Sequence, residues 1–329
     1  MLKYTIKRIL YSVLILFFVM FIIYLLMYSL PGGYIQTRAQ ELASKPNSTK
    51  SYQEWLDFLN AQYGMDKGVV QGYFTWLGSA ASGNLGDSWV WTLPVTEVFH
   101  NTVWYSFILG AVSFVFEIII AIPLGIKAAK NQYGFTDYFA SVFSMICISM
   151  PTFFLATLLK YVFAIKLEWF EISGMKSRDY INLSEFGKFL DVAAHFVLPA
   201  ITLIIISIGG LMRYTRTNML EVLNSDYIRT ARAKGVPEKK VINYHAFRNT
   251  LVPLVTTLGG SLPGLFSGAL ITETLFAIRG IGHASYQSML QADIPFIMFY
   301  LAFLSILTLL GNLISDLLYA VVDPRVRLS

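Results

Sequence analysis

The stretch DYIRTARAKGVPEKKVINYHAFRNTLVP, residues 226–253, carries a concentration of positive charge found nowhere else in this apolar chain. Between 226 and 240 it places Arg229, Arg232, Lys234, Lys239 and Lys240 around Gly235 and Pro237. Asn224, Ser225 and Asp226 are N-cap types, and good helix formers follow through Lys234. Glycine tolerates the left-handed conformation that ends a helix, so Gly235 predicts the stop. Pro237, with Glu238 beside it, predicts the first position of a new helix. That helix runs through His245, Arg248 and Asn249 into an apolar tract. The pattern therefore reads as a short helix of about 15 Å, a sharp turn, and a longer helix entering a membrane. Spacing puts Tyr227, Ile228 and Ala231 on one side of the short helix and Arg229 with Arg232 on another. Physics alone leaves two uses open: a basic loop that anchors topology, or a small helix that inserts into a partner's groove.

Outward from this loop the chain is a membrane sequence. Of 329 residues, 55% are hydrophobic and 14% charged, against about 25% charged in soluble domains. Six apolar runs approach the roughly 20 residues that a spanning helix needs: Ile9–Leu30, Val103–Ile126, Tyr138–Phe163, Phe196–Met212, Leu251–Phe276 and Phe296–Val322. The first follows Lys3, Lys7 and Arg8 but is too long for a signal-peptide core and lacks a small-x-small site, so it predicts an uncleaved first helix. With both termini on the cytoplasmic side, inside segments hold fifteen basic and five acidic residues, and outside segments nine and twelve. Lysine and arginine bias thus places the 213–250 loop inside, and the net charge of +5 is assigned to such loops rather than to nucleic acid. Cys147 is the one cysteine, so no intrachain disulfide forms.

The outer segment 31–102 predicts a short amphipathic helix in SYQEWLDFLNAQYG, with Trp55, Leu56, Phe58 and Leu59 at helical spacing, and a second piece at GYFTWLG. Its aromatics suit a membrane interface. Glu117, Lys160, Glu273 and Asp316 fall within or at the ends of spans. Lys160 and Glu273 lie near outer ends, where Lys160 can snorkel; Glu117 and Asp316 lie deeper, as pathway linings, proton sites or satisfied contacts inside the bundle. Pro151, Pro199, Pro263 and the glycines about them predict kinked, closely packed helices. No G-x-x-x-x-G-K-[ST], G-x-S-x-G or H-E-x-x-H is present, so no catalytic machinery is read on the chain.

The 226–253 stretch resembles the cytoplasmic loop motif of ATP-binding-cassette importer permeases of the peptide and nickel type. The general motif is E-A-A-x-x-x-G, followed after nine residues by I-x-L-P. Aligned on Gly235, Arg229, Thr230 and Ala231 stand at E-A-A, and His245, Ala246, Phe247 and Arg248 at I-x-L-P. R-T-A-R-A-K-G with H-A-x-R-N is the variant usual in peptide permeases. YGMDKGVVQGYFTWLGSAASGNLGDSW (63–89), AIPLGIKAA (121–129), ETLFAIRGIGHASYQSMLQADIPFI (273–297) and YAVVDPRVRLS (319–329) resemble the first permease subunit of oligopeptide and dipeptide importers. The resemblance implies an all-α, six-span, type I (MetI-like) fold, a single permease domain over 1–329 with an extracytoplasmic segment at 31–102 and a coupling loop at 213–250. It implies half of a translocation pore in the inner (plasma) membrane, with both termini cytoplasmic. Implied partners are a homologous second permease, two ATPases that carry ATP and Mg, an extracytoplasmic binding protein, membrane lipid and a peptide cargo; no cofactor is implied on this chain. In that picture Tyr227, Ile228, Arg229, Thr230, Ala231, Arg232, Ala233 and Lys234 contact an ATPase, Gly235 permits the turn, and Pro237, His245, Arg248 and Asn249 belong to the lever. Whether the cargo is an oligopeptide, a dipeptide or a nickel chelate stays open. The rival expectation is a self-powered secondary transporter using Glu117 or Asp316.

Overall fold

A computed structural model describes residues 2–29, 34–46 and 48–322. Along the chain run helices α1 (Leu2–Tyr28), α2 (Tyr34–Ala43), α3 (Tyr52–Tyr63), α4 (Val69–Ala81), α5 (Val95–Lys130), α6 (Phe135–Ser149) and α7 (Thr152–Leu159), the last continuing as a π-helical turn, Lys160–Lys166. Then follow α8 (Glu185–Leu223), α9 (Asp226–Ala233), α10 (Glu238–Lys240), a second π-helical turn (Val241–Ala246), α11 (Phe247–Ser261), α12 (Gly264–Ser267), α13 (Leu270–Phe276), α14 (Ile281–Leu290) and α15 (Ile294–Val322). Among the described residues the only strand-like pairing is an isolated bridge between Asp87 and Pro94.

Among the described residues five helices are long and apolar enough to cross a membrane, and six spans result when the bent pair α6–α7 is counted as one. The spans differ from the apolar runs in extent. The run Phe196–Met212 is the middle of a 39-residue helix, about 58 Å long, against a hydrocarbon core of about 30 Å. Its polar ends continue the helix because Ser184 caps it, accepting from Gly187 N–H at 3.2 Å, and Pro199 is absorbed within it. The run Tyr138–Phe163 is bent by 101° between α6 and α7. Pro151 bars the helical conformation of its predecessor, and Met150 is accordingly extended, with φ −81° and ψ 122°. The run Leu251–Phe276 is likewise broken: Pro263 precedes the short α12, and Gly268 at φ +81° separates it from α13. The first run ends on Leu30, outside the described residues, as does the tail from Asp323 onward.

The described residues form two compact units. The first holds Met1–Thr102 and Ala284–Leu309. Here the predicted amphipathic helix is α3, closed at its start by a reciprocal Ser51–Glu54 capping box and at its end by Gly64 at φ +67°. The Ser51 N–H bond holds the Glu54 carboxyl below its usual range. Leu59 and Tyr63 face inward with Trp55 and Leu56 at the edge, whereas Phe58 stays exposed. The second predicted piece is α4; α2 and α14 are further helices that the sequence reading leaves out. Three aromatics of the outer segment, expected at an interface, are instead core: Tyr63, Tyr73 and Trp76 are buried together with Tyr24 of α1. Tyr73 donates to the Phe17 carbonyl at 2.8 Å and Tyr24 to that of Tyr63 at 3.0 Å, so α1 is tied to α4 and α3. Burial pushes the Tyr63 hydroxyl well above its ordinary pKa. Asp293, fully buried, accepts from the Ser88 hydroxyl and from the N–H groups of Trp89 (3.0 Å) and Val90 (3.2 Å), which fastens the 88–90 loop to the start of α15.

The second unit holds Val103–His283 and Leu310–Ser329. Its apolar clusters lie along α8, which packs against α6, α7 and α11. Asp137 of α6 is buried and forms a forked ion pair with Arg216 of α8, one arm at 2.8 Å, while accepting from Tyr133 N–H at 2.9 Å. A charge so placed is tolerated because each oxygen has a partner.

Candidate functional site

The basic loop folds as a short helix, a stop at Gly235 and a second helical segment. α9 is eight residues long, Asp226–Ala233. Ser225 stands at its N-cap, but the hydroxyl donates back to the Val222 carbonyl at 2.6 Å rather than capping. At the other end Gly235 takes φ +75°. Its N–H donates to the Arg232 carbonyl at 2.9 Å and Val236 N–H to that of Ala231 at 3.2 Å, the paired bonds of a Schellman stop. Pro237 is the N-cap of α10 rather than its first residue, with ψ 135°, one position earlier than the sequence suggests.

Ile228 is fully buried, seated among Met219, Leu223, Val241, Ile242 and Ala246, with Ala231 and Val236 packed alongside. Tyr227 does not share that side: it is 49% exposed. Successive helical residues turn by about 100°, and the buried arc centred on Ile228 and Ala231 leaves Tyr227 outside it. Arg229, Thr230, Arg232, Ala233 and Lys234 are exposed. Arg229 lies 3.6 Å from Asp226. Arg232 reaches across the turn to Glu238 with two bonds of 2.8 and 3.1 Å, which raise the guanidinium pKa further. The small helix is thus pinned from below by one isoleucine, bent by one glycine and braced by one ion pair.

The chain then enters the π-helical turn Val241–Ala246. Widening a helix here frees carbonyl groups, and the Asn249 amide donates to the His245 carbonyl at 2.8 Å. Arg248 lies over the Tyr244 ring, 6.0 Å from its centre, and His245 meets the same ring edge-on at 5.3 Å. His245, Arg248 and Asn249 therefore shape the junction between the turn and α11.

A second feature of the same unit is a cavity of about 580 Å³, within the range of small-ligand sites. Three long helices build most of it from residues at helical spacing: Ser106, Gly110, Ser113 and Glu117 of α5; Leu203, Ser207, Gly210 and Tyr214 of α8; Thr257 and Ser261 of α11, with Gly264 and Leu265 of α12 closing one side. Glu117 is its one carboxylate, and no lysine, arginine or histidine lines it. The Glu117 carboxylate is half-buried with no hydrogen-bond partner among the described residues. Asp316, half-buried on α15, is not part of this wall.

The other two intramembrane charges do not behave as end-of-span groups. Lys160 turns inward, donating to the Leu275 carbonyl at 2.7 Å, rather than snorkelling. A half-buried C-terminal carbonyl of α13 lacks an intrahelical donor, and the ammonium supplies one. Glu273 is fully buried and accepts from the Ser106 hydroxyl (2.6 Å), Ala269 N–H (2.8 Å) and His283 N–H (2.9 Å). Gly280 passes so close to this carboxylate that a Cβ there would overlap it. The G-I-G of residues 280–282 was the available signal, since paired glycines mark a close backbone approach.

Known proteins are similar to this chain. The family "Binding-protein-dependent transport system inner membrane component" matches residues 121–328, and "Binding-prot-dependent transport system membrane comp, N-term" matches residues 1–89. The oligopeptide transport system permease protein AppB of Bacillus subtilis is 35% identical over 99% of this chain and 100% of its own length. The dipeptide transport system permease protein DppB of Lactococcus lactis is 32% identical over the whole of both chains. That of Escherichia coli is 34% identical over 82% of this chain and 84% of its own. A solved chain of the MetNI methionine ABC transporter, in inward-facing conformations, superposes with a TM-score of 0.53 at 18% identity, covering 69% of this chain and 97% of that one. The all-helical architecture, the spans and the full-length similarity agree: the chain belongs to the family of inner membrane components of binding-protein-dependent transport systems, and is a multi-pass membrane permease.

Proposed function

We propose that the chain forms half of the pore of an ATP-driven importer of oligopeptides or dipeptides, and that α9 is the surface through which partner ATPases move it. The observation that supports this reading most directly is the build of the 225–236 segment. A short basic helix projects exposed Tyr227, Arg229, Thr230, Ala233 and Lys234, while Ile228 anchors it to α8 and to the start of the fifth span. A push on such a helix is transmitted through packed side chains rather than absorbed by a loose loop. The relatives named for oligopeptide and dipeptide transport support the cargo class. On this reading both termini and the 213–250 loop are cytoplasmic, the 31–102 segment is extracytoplasmic, and 1–329 acts as one permease domain. The complex holds a second, homologous permease, two ATPases carrying ATP and Mg, and an extracytoplasmic binding protein. This chain transmits work and hydrolyses nothing itself. Co-expression with a second permease and two ATPases tests it: the four are expected to co-purify and to take up peptide in liposomes when ATP is supplied. Persistent absence of the ATPases from the purified complex overturns the assignment.

A further inference from the structure

The cavity along α5, α8 and α11 has an unusual polarity. Four of its hydroxyls already spend their protons. Ser113 donates to the Leu109 carbonyl at 2.7 Å, Thr257 to that of Pro253 at 3.0 Å, Ser261 to that of Thr257 at 3.0 Å, and Ser106 to Glu273 at 2.6 Å, the last also accepting from Ile281 N–H at 2.8 Å, which leaves it one lone pair. A hydroxyl that has donated keeps only acceptor lone pairs. Glu117 adds a carboxylate with no partner among the described residues. No cationic side chain lines the wall to balance these acceptors. A half-buried charge without a partner is costly, and such groups inside a span mark a pathway or a ligand. The complement of this wall is a cation rich in N–H donors.

We infer that this cavity is a cation subsite in which Glu117 receives the protonated amino group of the cargo and the spent hydroxyls accept its remaining N–H donors. The inference rests on the peptide-import reading for the identity of the cargo, since a free peptide carries one ammonium at its amino end. It does not rest on that reading for the chemistry of the wall. A charge-assisted bond of this kind is about twice as strong as a neutral one and sets orientation as well as affinity. Cargo would therefore pass amino end toward Glu117, with selectivity against acylated amines.

The test uses the assembled complex in lipid nanodiscs without the binding protein. Ser207→Cys, or Ser261→Cys if that thiol is unreactive, reports occupancy through its rate of modification by neutral N-ethylmaleimide; Cys147 is buried and adds little background. Three probes are compared: n-butylammonium, a free tripeptide and its N-acetyl form. The ammonium and the free tripeptide are expected to protect the thiol at concentrations about tenfold lower with Glu117 than with Glu117→Gln, as for a lost hydrogen bond to charge. The acetylated peptide is expected to show no such difference. Protection by n-butylammonium alone supports the cation subsite and removes peptide as its cargo. Equal protection of both proteins by every probe, or none by any probe at a reactive thiol, overturns the proposal.

Discussion

At the scale of single residues, Ile228 and Gly235 decide whether the basic helix is a rigid lever or a loose loop. Ile228→Ala leaves a hole among Met219, Val241 and Ile242, and such truncations cost about 2–5 kcal/mol. We expect ATP-driven uptake to fall at least tenfold while membrane insertion, followed by fractionation, stays normal. Gly235 poses a purer question. Nothing lies within 4 Å of an added Cβ, so the cost of a side chain there is conformational alone, at φ +75°. Left-handed backbone costs ordinary residues about 1–2 kcal/mol, asparagine least and β-branched residues most. Uptake should therefore fall in the order Gly235, Gly235→Asn, Gly235→Val; equal loss in both variants would point to a contact instead of a conformation. Arg232 separates two roles. If its work is to brace the turn against Glu238, Arg232→Gln and Glu238→Gln reduce uptake alike, and the effect on thermal stability stays below about 1 kcal/mol because the pair is exposed. A silent Glu238→Gln beside a damaging Arg232→Gln would assign the arginine to the ATPase surface.

At the scale of elements, the helices were legible where capping and period agreed and obscure where packing intervened. The spacing of Trp55, Leu56 and Leu59 announces α3, and Gly235 announces the end of α9, because those signals act within their own turns. The inward turn of Lys160 was not legible, because its acceptor is the Leu275 carbonyl, distant in sequence. The pairing of α6 with α8 through Asp137 and Arg216 was hidden for the same reason: the partners lie 79 residues apart. Removing one member of a buried pair strands the other, at about 3–5 kcal/mol. Asp137→Ala is expected to lower the melting temperature of the purified protein in detergent by several degrees, and Asp137→Ala with Arg216→Met to recover most of that loss. A double variant no more stable than the single one would show that the pair is not what holds these helices.

At the scale of the molecule, the division of labour between two buried carboxylates stands out. Asp293 fastens a loop within the first unit, and Glu273 gathers Ser106, Ala269 and His283 within the second. In sequence Glu273 reads as an acid near a span end, whereas Asp293 is one acid in the short loop before the sixth apolar run. Glu273→Gln keeps the shape but sets an NH2 group against N–H donors, an unsatisfied contact worth about 1–3 kcal/mol. We expect a measurable loss of thermal stability and of correctly inserted protein; an unchanged melting curve would mean the network is held by its backbone alone.

What the sequence determined by itself was carried by short-range rules: apolar length for the spans, helical spacing for the outer helices and a lone glycine for the end of the basic helix. Only the tertiary structure decided which groups are buried and with whom. It separated Tyr227 from Ile228, turned Lys160 inward, enclosed Glu273, and gathered hydroxyls from three helices around an unpartnered Glu117. The physical reason is range. A cap or a period acts within one or two turns, whereas the fate of a charge in a membrane protein depends on partners far away in the chain, and no local pattern records them.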